Sequence, residues 1–293
     1  MDYIQLANDI GLPTIPRVSY DADQVVEDGT FHTAGLTDSK LGGAPYRPKG
    51  AGWPVDSNGR HMCFVAQLNL AQVEHDRIAA GVPPLFDGAM PTSGLLQFFL
   101  RFDDTFGLYT EGTKCFVAFL EDFSAEADDP VFCYSPNWKE PVKWAYENRH
   151  PAVKRERKEL AYSEFESEEC ILANPDVPCP LIPKVFQPAL QRPLPGWHVE
   201  VTDEQNQAWP KDAVSEEYTK AYVGQALHQV GGVPNFTQDD PRPGGSNLRL
   251  LFQLDGNTHA VQIGDAGTMQ FFIDPADLAR RDFSKVLMNW ACF

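Results

Sequence analysis

Three short strings occur twice in this chain, in the same order. Gly42-Gly43-Ala44-Pro45 returns as Gly231-Gly232-Val233-Pro234, each after an apolar residue, Leu41 and Val230. Ala66-Gln67-Leu68-Asn69 has a counterpart in Phe252-Gln253-Leu254-Asp255. Gly94-Leu-Leu-Gln97-Phe98-Phe99 returns as Gly267-Thr-Met-Gln270-Phe271-Phe272. A single match of this length is expected by chance, but three in one order point to a diverged internal duplication. The equivalent β units would lie near residues 36–110 and 226–290.

A second register fits part of the pattern. Leu68-Asn69-Leu70-Ala71-Gln72-Val73 resembles Ile273-Asp274-Pro275-Ala276-Asp277-Leu278. Both read as a strand end, a capping Asn or Asp, and a helix start, with Pro275 suited to the first helical position. The repeat is therefore sequential or locally permuted, and residue order alone leaves both open.

Strand signals dominate both units. Asn58-Gly59 predicts a two-residue hairpin turn leading into a strand over His61–Leu68. Glu111-Gly112 separates Leu95–Tyr109 from Lys114–Leu120, and Asp255-Gly256-Asn257 would join Leu248–Leu254 to Thr258–Ile263. Lys285–Phe293 would close the fold. Helices are expected over Leu70–Ala80, Pro151–Phe165 and Ser215–Leu227, with a short one after Asp274. The expected fold is mainly β (α+β): internally duplicated, pseudo-symmetric antiparallel β units with a few peripheral helices, in one domain.

The stretch 121–225 between the units differs. It carries 11 basic and 20 acidic residues, so it holds over half of the net charge of −17. Seven prolines fall between Pro175 and Pro195 and force extended backbone there. It reads as an elaborated connection. With 19 Phe, 9 Tyr and 6 Trp, the 293-residue chain has ample material for a core. Its acidic surface repels phosphate backbones and disfavours nucleic acid. Apolar runs are far shorter than the roughly 18 residues of a membrane span. No signal-peptide pattern opens the sequence, and the six cysteines form no Cys-x-x-Cys, so a reduced cytoplasmic protein is the expectation.

Common catalytic signatures are missing: no Gly-x-Ser-x-Gly, His-Glu-x-x-His, Walker A loop or Gly-x-Gly-x-x-Gly. The doublets Asp103-Asp104, Asp128-Asp129 and Asp239-Asp240 read as turn chemistry, because adjacent strand residues point to opposite faces and cannot act as one acid–base pair. His61 and Cys63 share a strand face but show no second ligand pair. The basic run Lys154–Lys158 is interleaved with Glu and reads as a solvated helix face. No catalytic residue, metal or cofactor is expected.

The Gly-Gly-x-Pro loops are the strongest candidate site. Gly42, Gly43, Gly231 and Gly232 permit positive φ and would aim backbone N–H groups at an anion, with Arg47 and Arg242 close by in sequence. The other reading is a tight turn closing each repeat. Gln67, Gln97, Gln253 and Gln270 sit inside apolar strands and must be hydrogen-bonded if buried. They would either bridge the two units or line a polar pocket between them. Trp53, Gln238 and Asp240 complete the candidate ligand set.

Several of these strings in combination resemble the YwqG-like family of bacterial proteins. The first half carries Lys40-Leu-Gly-Gly-Ala-Pro45, Gly52-Trp53-Pro54 and Phe64-Val-Ala-Gln-Leu-Asn-Leu70. The second carries Gly231-Gly-Val-Pro-Asn-Phe-Thr-Gln-Asp-Asp-Pro-Arg242, Leu251-Phe-Gln-Leu-Asp255, Gly264-Asp-Ala-Gly267 and Gln270-Phe-Phe-Ile273. Ile263 stands where the family would have an aromatic residue. The resemblance implies a mainly β fold and a cytoplasmic bacterial protein. It implies no activity, since the family is of unknown function. Some relatives sit in toxin–immunity gene neighbourhoods, which favours protein binding. The expected function is thus a non-enzymatic interaction protein, with an immunity-like role conceivable, whose partner would have a basic surface. The alternative is a small-ligand protein or uncommon enzyme with a site between the repeat units.

Overall fold

A computed structural model describes residues 2–22, 34–59, 61–101, 105–109, 111–128, 179–184, 189–193, 200–210, 216–223, 228–256, 260, 261 and 263–293. The expected helix 151–165, the basic run Lys154–Lys158, and Asp103, Asp104 and Asp129 of the doublets lie outside these residues.

Twelve strands are described: β1 Ile15–Asp21, β2 Lys40–Leu41, β3 Cys63–Asn69, β4 Leu95–Leu100, β5 Cys115–Leu120, β6 Cys179–Pro180, β7 Ile182–Lys184, β8 Leu190–Gln191, β9 His228–Gly231, β10 Arg249–Asp255, β11 Thr268–Ile273 and β12 Leu287–Ala291. The helices are α1 Tyr3–Asp9, α2 Leu70–Ala79, α3 Asp203–Ala208, α4 Glu216–Tyr218 and α5 Pro275–Ala279. The protein is mainly β, with two antiparallel sheets and few helices. One sheet runs β5-β4-β3-β2-β6, the other β12-β11-β10-β9-β1-β7, with β8 also on β1.

The repeated strings land on corresponding strands. β2-β3-β4-β5 and β9-β10-β11-β12 are both antiparallel meanders. Gln67 lies opposite Gln97, and Gln253 opposite Gln270. The register of each central pair shifts at the same point, between Phe64 and Ala66 and between Leu250 and Phe252. These correspondences follow the sequential register. The strand–helix junctions of the permuted register fall on non-corresponding strands, since α2 follows β3 and α5 follows β11.

A bulge adds a residue on one strand and resets which side chains face inward. Beyond it, Ala66 pairs with Phe98 and Phe252 with Phe271. Phe98 packs at 5.0 Å from Phe252 and 4.8 Å from Phe271, ring centroid to centroid, so these residues face the opposite sheet. One buried cluster draws on both sheets, including Leu68, Leu96, Val230, Leu254 and Ile273. Fully burying side chains of this size contributes about 1.5–3 kcal/mol each.

The helices form where caps are available. Asn69 accepts from the N–H of Ala71 and Gln72 to start α2, and Asp274 accepts from Ala276 to start α5, with Pro275 in the first turn. Three expectations are corrected. The strand from Leu95 ends at Leu100, not Tyr109. The strand expected over Thr258–Ile263 is absent among its described residues, and β10 pairs with β11 instead. Of Ser215–Leu227, the described part is the short α4 followed by a wide π-type turn at Thr219–Val223.

β1 was not legible. It inserts between β9 and β7, and Ile15–Tyr20 are buried although they include Pro16, Arg17 and Ser19. Its polar side chains hide the apolar alternation that marks a strand.

Candidate functional site

Each Gly-Gly-x-Pro loop leaves the first strand of its meander and turns back over the sheet's outer face. The turn requires left-handed backbone at both glycines: φ is 62° and 65° at Gly42 and Gly43, and 68° and 80° at Gly231 and Gly232. Gly232 also has no room for a side chain, because an added Cβ would sit 2.3 Å from Gln191 Oε1.

The four strand glutamines hold the residue after each proline. Gln67 Oε1 accepts from the Tyr46 N–H at 3.0 Å, while Gln97 Nε2 donates to the Tyr46 carbonyl at 2.6 Å and to Gln67 Oε1 at 2.9 Å. In the second half, Gln253 Oε1 accepts from Asn235 N–H at 2.8 Å, and Gln270 Nε2 donates to the Asn235 carbonyl at 2.6 Å. A buried amide pair thus clasps the backbone of one loop residue, twice. These bonds stay within each half, on the side of the sheet opposite to Phe98, Phe252 and Phe271. Gln191 and Gln229 add a further clasp on the second loop: Gln191 Oε1 accepts from Val233 N–H, and Gln229 Nε2 donates to the Val233 carbonyl.

Past the clasp the two loops diverge. In the first half, Trp53 packs edge-on against Phe99 at 5.6 Å and donates from its indole to the Met62 carbonyl. In the second half, the Arg242 guanidinium lies 5.1 Å from the centroid of Phe272, the residue corresponding to Phe99. Arg242 is almost wholly buried and ion-paired with both Asp240 and Glu200. Burial alone would lower its pKa, yet the hydrogen bonds and charges of Asp240 and Glu200 leave it raised.

The other candidates are spread out. Arg47 donates to the Gly52 carbonyl, Gln238 to the Cys292 carbonyl, and Asp128 accepts from Gly50 N–H. Lys49 pairs with Glu126 at the surface. The structure brings Gly42, Gly43, Gln67 and Gln97 together around one loop, and Gly231, Gly232, Gln253 and Gln270 around the other.

The Arg242 cluster borders a cleft of about 560 Å³. It is lined by Pro13, Thr14, Ile15, Asp87, Glu200, Ser246, Asn247, Leu248, Arg249, Asp274, Pro275 and Ala276. Asp87 sits in a 3₁₀ turn, Leu85–Gly88, where Phe86 and Asp87 both have positive φ, 51° and 57°. Such backbone is costly for non-glycine residues and is held only by its surroundings. Burial of Leu85 and Phe86 in the core supplies the hold, and Arg249 adds to it, ion-pairing with Asp87 at 2.9 Å and lying 5.2 Å from the Phe86 ring centroid. The Asp87 carboxylate remains 88% exposed at the mouth. Neither His nor Cys is among the described residues lining the cleft. Its chemistry is three carboxylates, one outward arginine and an apolar wall of prolines and Leu248. Composition and charge could not locate it, because Pro13, Asp87, Glu200 and Asp274 meet only through the fold.

The profile of the family described as a domain of unknown function, DUF1963, matches residues 39–292. The chain belongs to that family. The matched span takes in both meanders and every loop and cleft residue named above except Pro13, Thr14 and Ile15. No curated protein matches the chain. Among the described residues, no helix is long and apolar enough to cross a membrane.

Proposed function

We propose that this protein is a non-enzymatic interaction module whose cleft receives a basic segment of a partner protein. The observation that carries the reading is the exposed Asp87 carboxylate, presented at the cleft mouth by a strained turn. Asp274 adds negative charge, Glu200 being already paired with Arg242, and Pro13, Leu248 and Pro275 offer apolar surface to the stem of a Lys or Arg side chain. The net charge of −17 would steer a cationic partner toward the molecule. The YwqG-like resemblance supports a cytoplasmic bacterial setting and an immunity-like role. The matching meanders support an origin by internal duplication.

A photo-crosslinking residue at exposed Asn247, in the native host, tests the reading. A reproducible protein adduct that is lost in Asp87→Asn with Asp274→Asn supports it. Asn is also a good cap, so the second change removes charge and leaves α5 started. Absence of any reproducible adduct, or an adduct indifferent to both changes, would sink it.

A small-ligand reading rests on size, since the cleft falls in the roughly 300–1,000 Å³ range of small-molecule sites. Thermal-shift measurements with polyamines, nucleotides and sugars separate the two. Saturable stabilisation by one class, lost in the Asp87 and Asp274 variants, would favour this second reading.

A further inference from the structure

β5 ends the first sheet, and among the described residues only β4 pairs with it. It is six residues of uninterrupted apolar sequence, Cys115-Phe-Val-Ala-Phe-Leu120, with no charge, proline or bulge. Native sheets normally blunt such an edge, because its unpaired N–H and C=O groups are a template for another strand. Cys115, Val117 and Phe119 face the core. Phe116 faces outward, 6.2 Å from Phe99, and is 43% exposed. The row Trp53–Phe99–Phe116 therefore runs across the outer face to the edge, and no described strand lies beyond it.

We propose that β5 pairs antiparallel with β5 of a second copy, joining two five-stranded sheets into one. This is independent of the cleft and of its occupant. The register follows from geometry. A two-fold axis perpendicular to a sheet keeps each side chain on its own face, so paired residues must share a face. The axis must then pass at a residue, and β5 offers Val117 or Ala118 at its centre. With Val117 on the axis, Lys114 would meet Leu120 of the second copy. With Ala118 on the axis, the small side chain sits at the closest approach and Phe116 meets Leu120 of the second copy. Just beyond the ends of β5, Lys114, whose ammonium donates to the Leu108 carbonyl at 2.7 Å in the single copy, then comes opposite Asp122 of the second copy, on both sides of the axis. Asp122 is fully exposed, and its carboxylate is held below the usual range by the backbone and side-chain groups of Ser124, so it is charged at neutral pH. The edge is self-complementary in shape and in charge in this register alone of the two. The net charge of −17 per copy opposes approach at long range, but is screened beyond about 8 Å at physiological ionic strength.

Sedimentation velocity of the full chain at physiological salt, from micromolar to sub-millimolar concentration, tests the proposal. A reversible monomer–dimer equilibrium is expected. Phe116→Glu should raise the dimer dissociation constant about tenfold or more, since it alters two cross-strand pairs at once. Asp122→Lys alone should weaken the dimer, and Lys114→Glu with Asp122→Lys should restore it. Circular dichroism confirms that each variant is folded, and the exposed Asp122 change provides a readout even if Phe116→Glu unfolds. A chain monomeric at every concentration overturns the proposal, and so does a dimer indifferent to both single changes. Failure of the charge swap to restore pairing overturns the Ala118 register.

Discussion

The Gln97 side-chain amide donates to the Tyr46 carbonyl at 2.6 Å, across 51 residues of chain, and both groups are buried. The same relationship joins Gln270 to Asn235 in the second half. A loop is thereby fixed to a sheet through a single residue, with its N–H and C=O held by two different strands.

Replacing Gln97 with Leu should therefore cost more than a lost contact. The Tyr46 carbonyl would remain buried without its donor, a penalty of about 1–3 kcal/mol. Gln270→Leu should behave alike, although Thr268 Oγ1 also donates to the Asn235 carbonyl and softens the loss. Urea unfolding midpoints of the two variants give the comparison. Little change in either would mean that the clasp does not hold the loops.

Gly232 and Gly244 should respond very differently to alanine. At Gly232 a Cβ meets Gln191 Oε1, the Arg17 side chain and Gln229 Nε2, and φ is 80°. Gly232→Ala should destabilise by about 2 kcal/mol or more. At Gly244 nothing lies within 4 Å of an added Cβ, and φ is outside the left-handed region. Gly244→Ala should stay within about 0.5 kcal/mol of the parent. Thermal unfolding of the pair decides the matter.

Arg242→Met should destabilise by about 3–5 kcal/mol, because it leaves Asp240 and Glu200 as uncompensated charges in a buried setting. Adding Asp240→Asn and Glu200→Gln should recover most of that loss. If the triple variant is no more stable than Arg242→Met, cation–π packing on Phe272 matters more than the ion pairs.

His228 sets an acid limit on stability. It is fully buried at the start of β9, its Nδ1 accepts the Asp255 N–H at 3.2 Å, and burial pushes its pKa down to about 4. An unfolded His takes up its proton near pH 6.5, so between there and pH 4 the unfolded chain binds more protons than the folded one. Stability from this group is whole above pH 6.5 and declines as the pH falls through this window. The full loss is on the order of 3 kcal/mol. Unfolding free energies measured from pH 7 to 4 should show this slope, and His228→Gln should flatten it. An unchanged slope in the variant would assign acid sensitivity to other groups.

Much of the fold was legible because it is written in short-range chemistry. The Gly-Gly turns need glycine, Asn69 and Asp274 cap helices, and the repeated Gln–Phe strings mark paired strands. Glutamines inside apolar strands must be bonded if buried, but that they hold a loop within their own half, rather than bridging the halves or lining a pocket between them, is not legible, since a loop folded back over a sheet leaves no periodic trace. The cleft was invisible for a related reason. Asp87 belongs to a turn after α2, Glu200 to the connection, and Arg249 to β10, and no local pattern links them. Trp53 and Arg242 stand out by their chemistry, whereas their shared position over Phe99 and Phe272 emerges only from the strand register.

The placement of β1 has a consequence for how the chain reaches this structure during synthesis. Ile15–Asp21 emerge early, yet their partner His228–Gly231 follows about two hundred residues later. The first meander, whose strands lie close in sequence, can close while translation continues, but the second sheet must wait for its own inner strand to be recruited from the opposite end of the polypeptide. Closing so long a loop is entropically inexpensive relative to its length but slow to search. A ribosome paused before residue 228 would therefore hold a nascent chain with one half assembled and β1 still without the neighbour that ties it to the second meander.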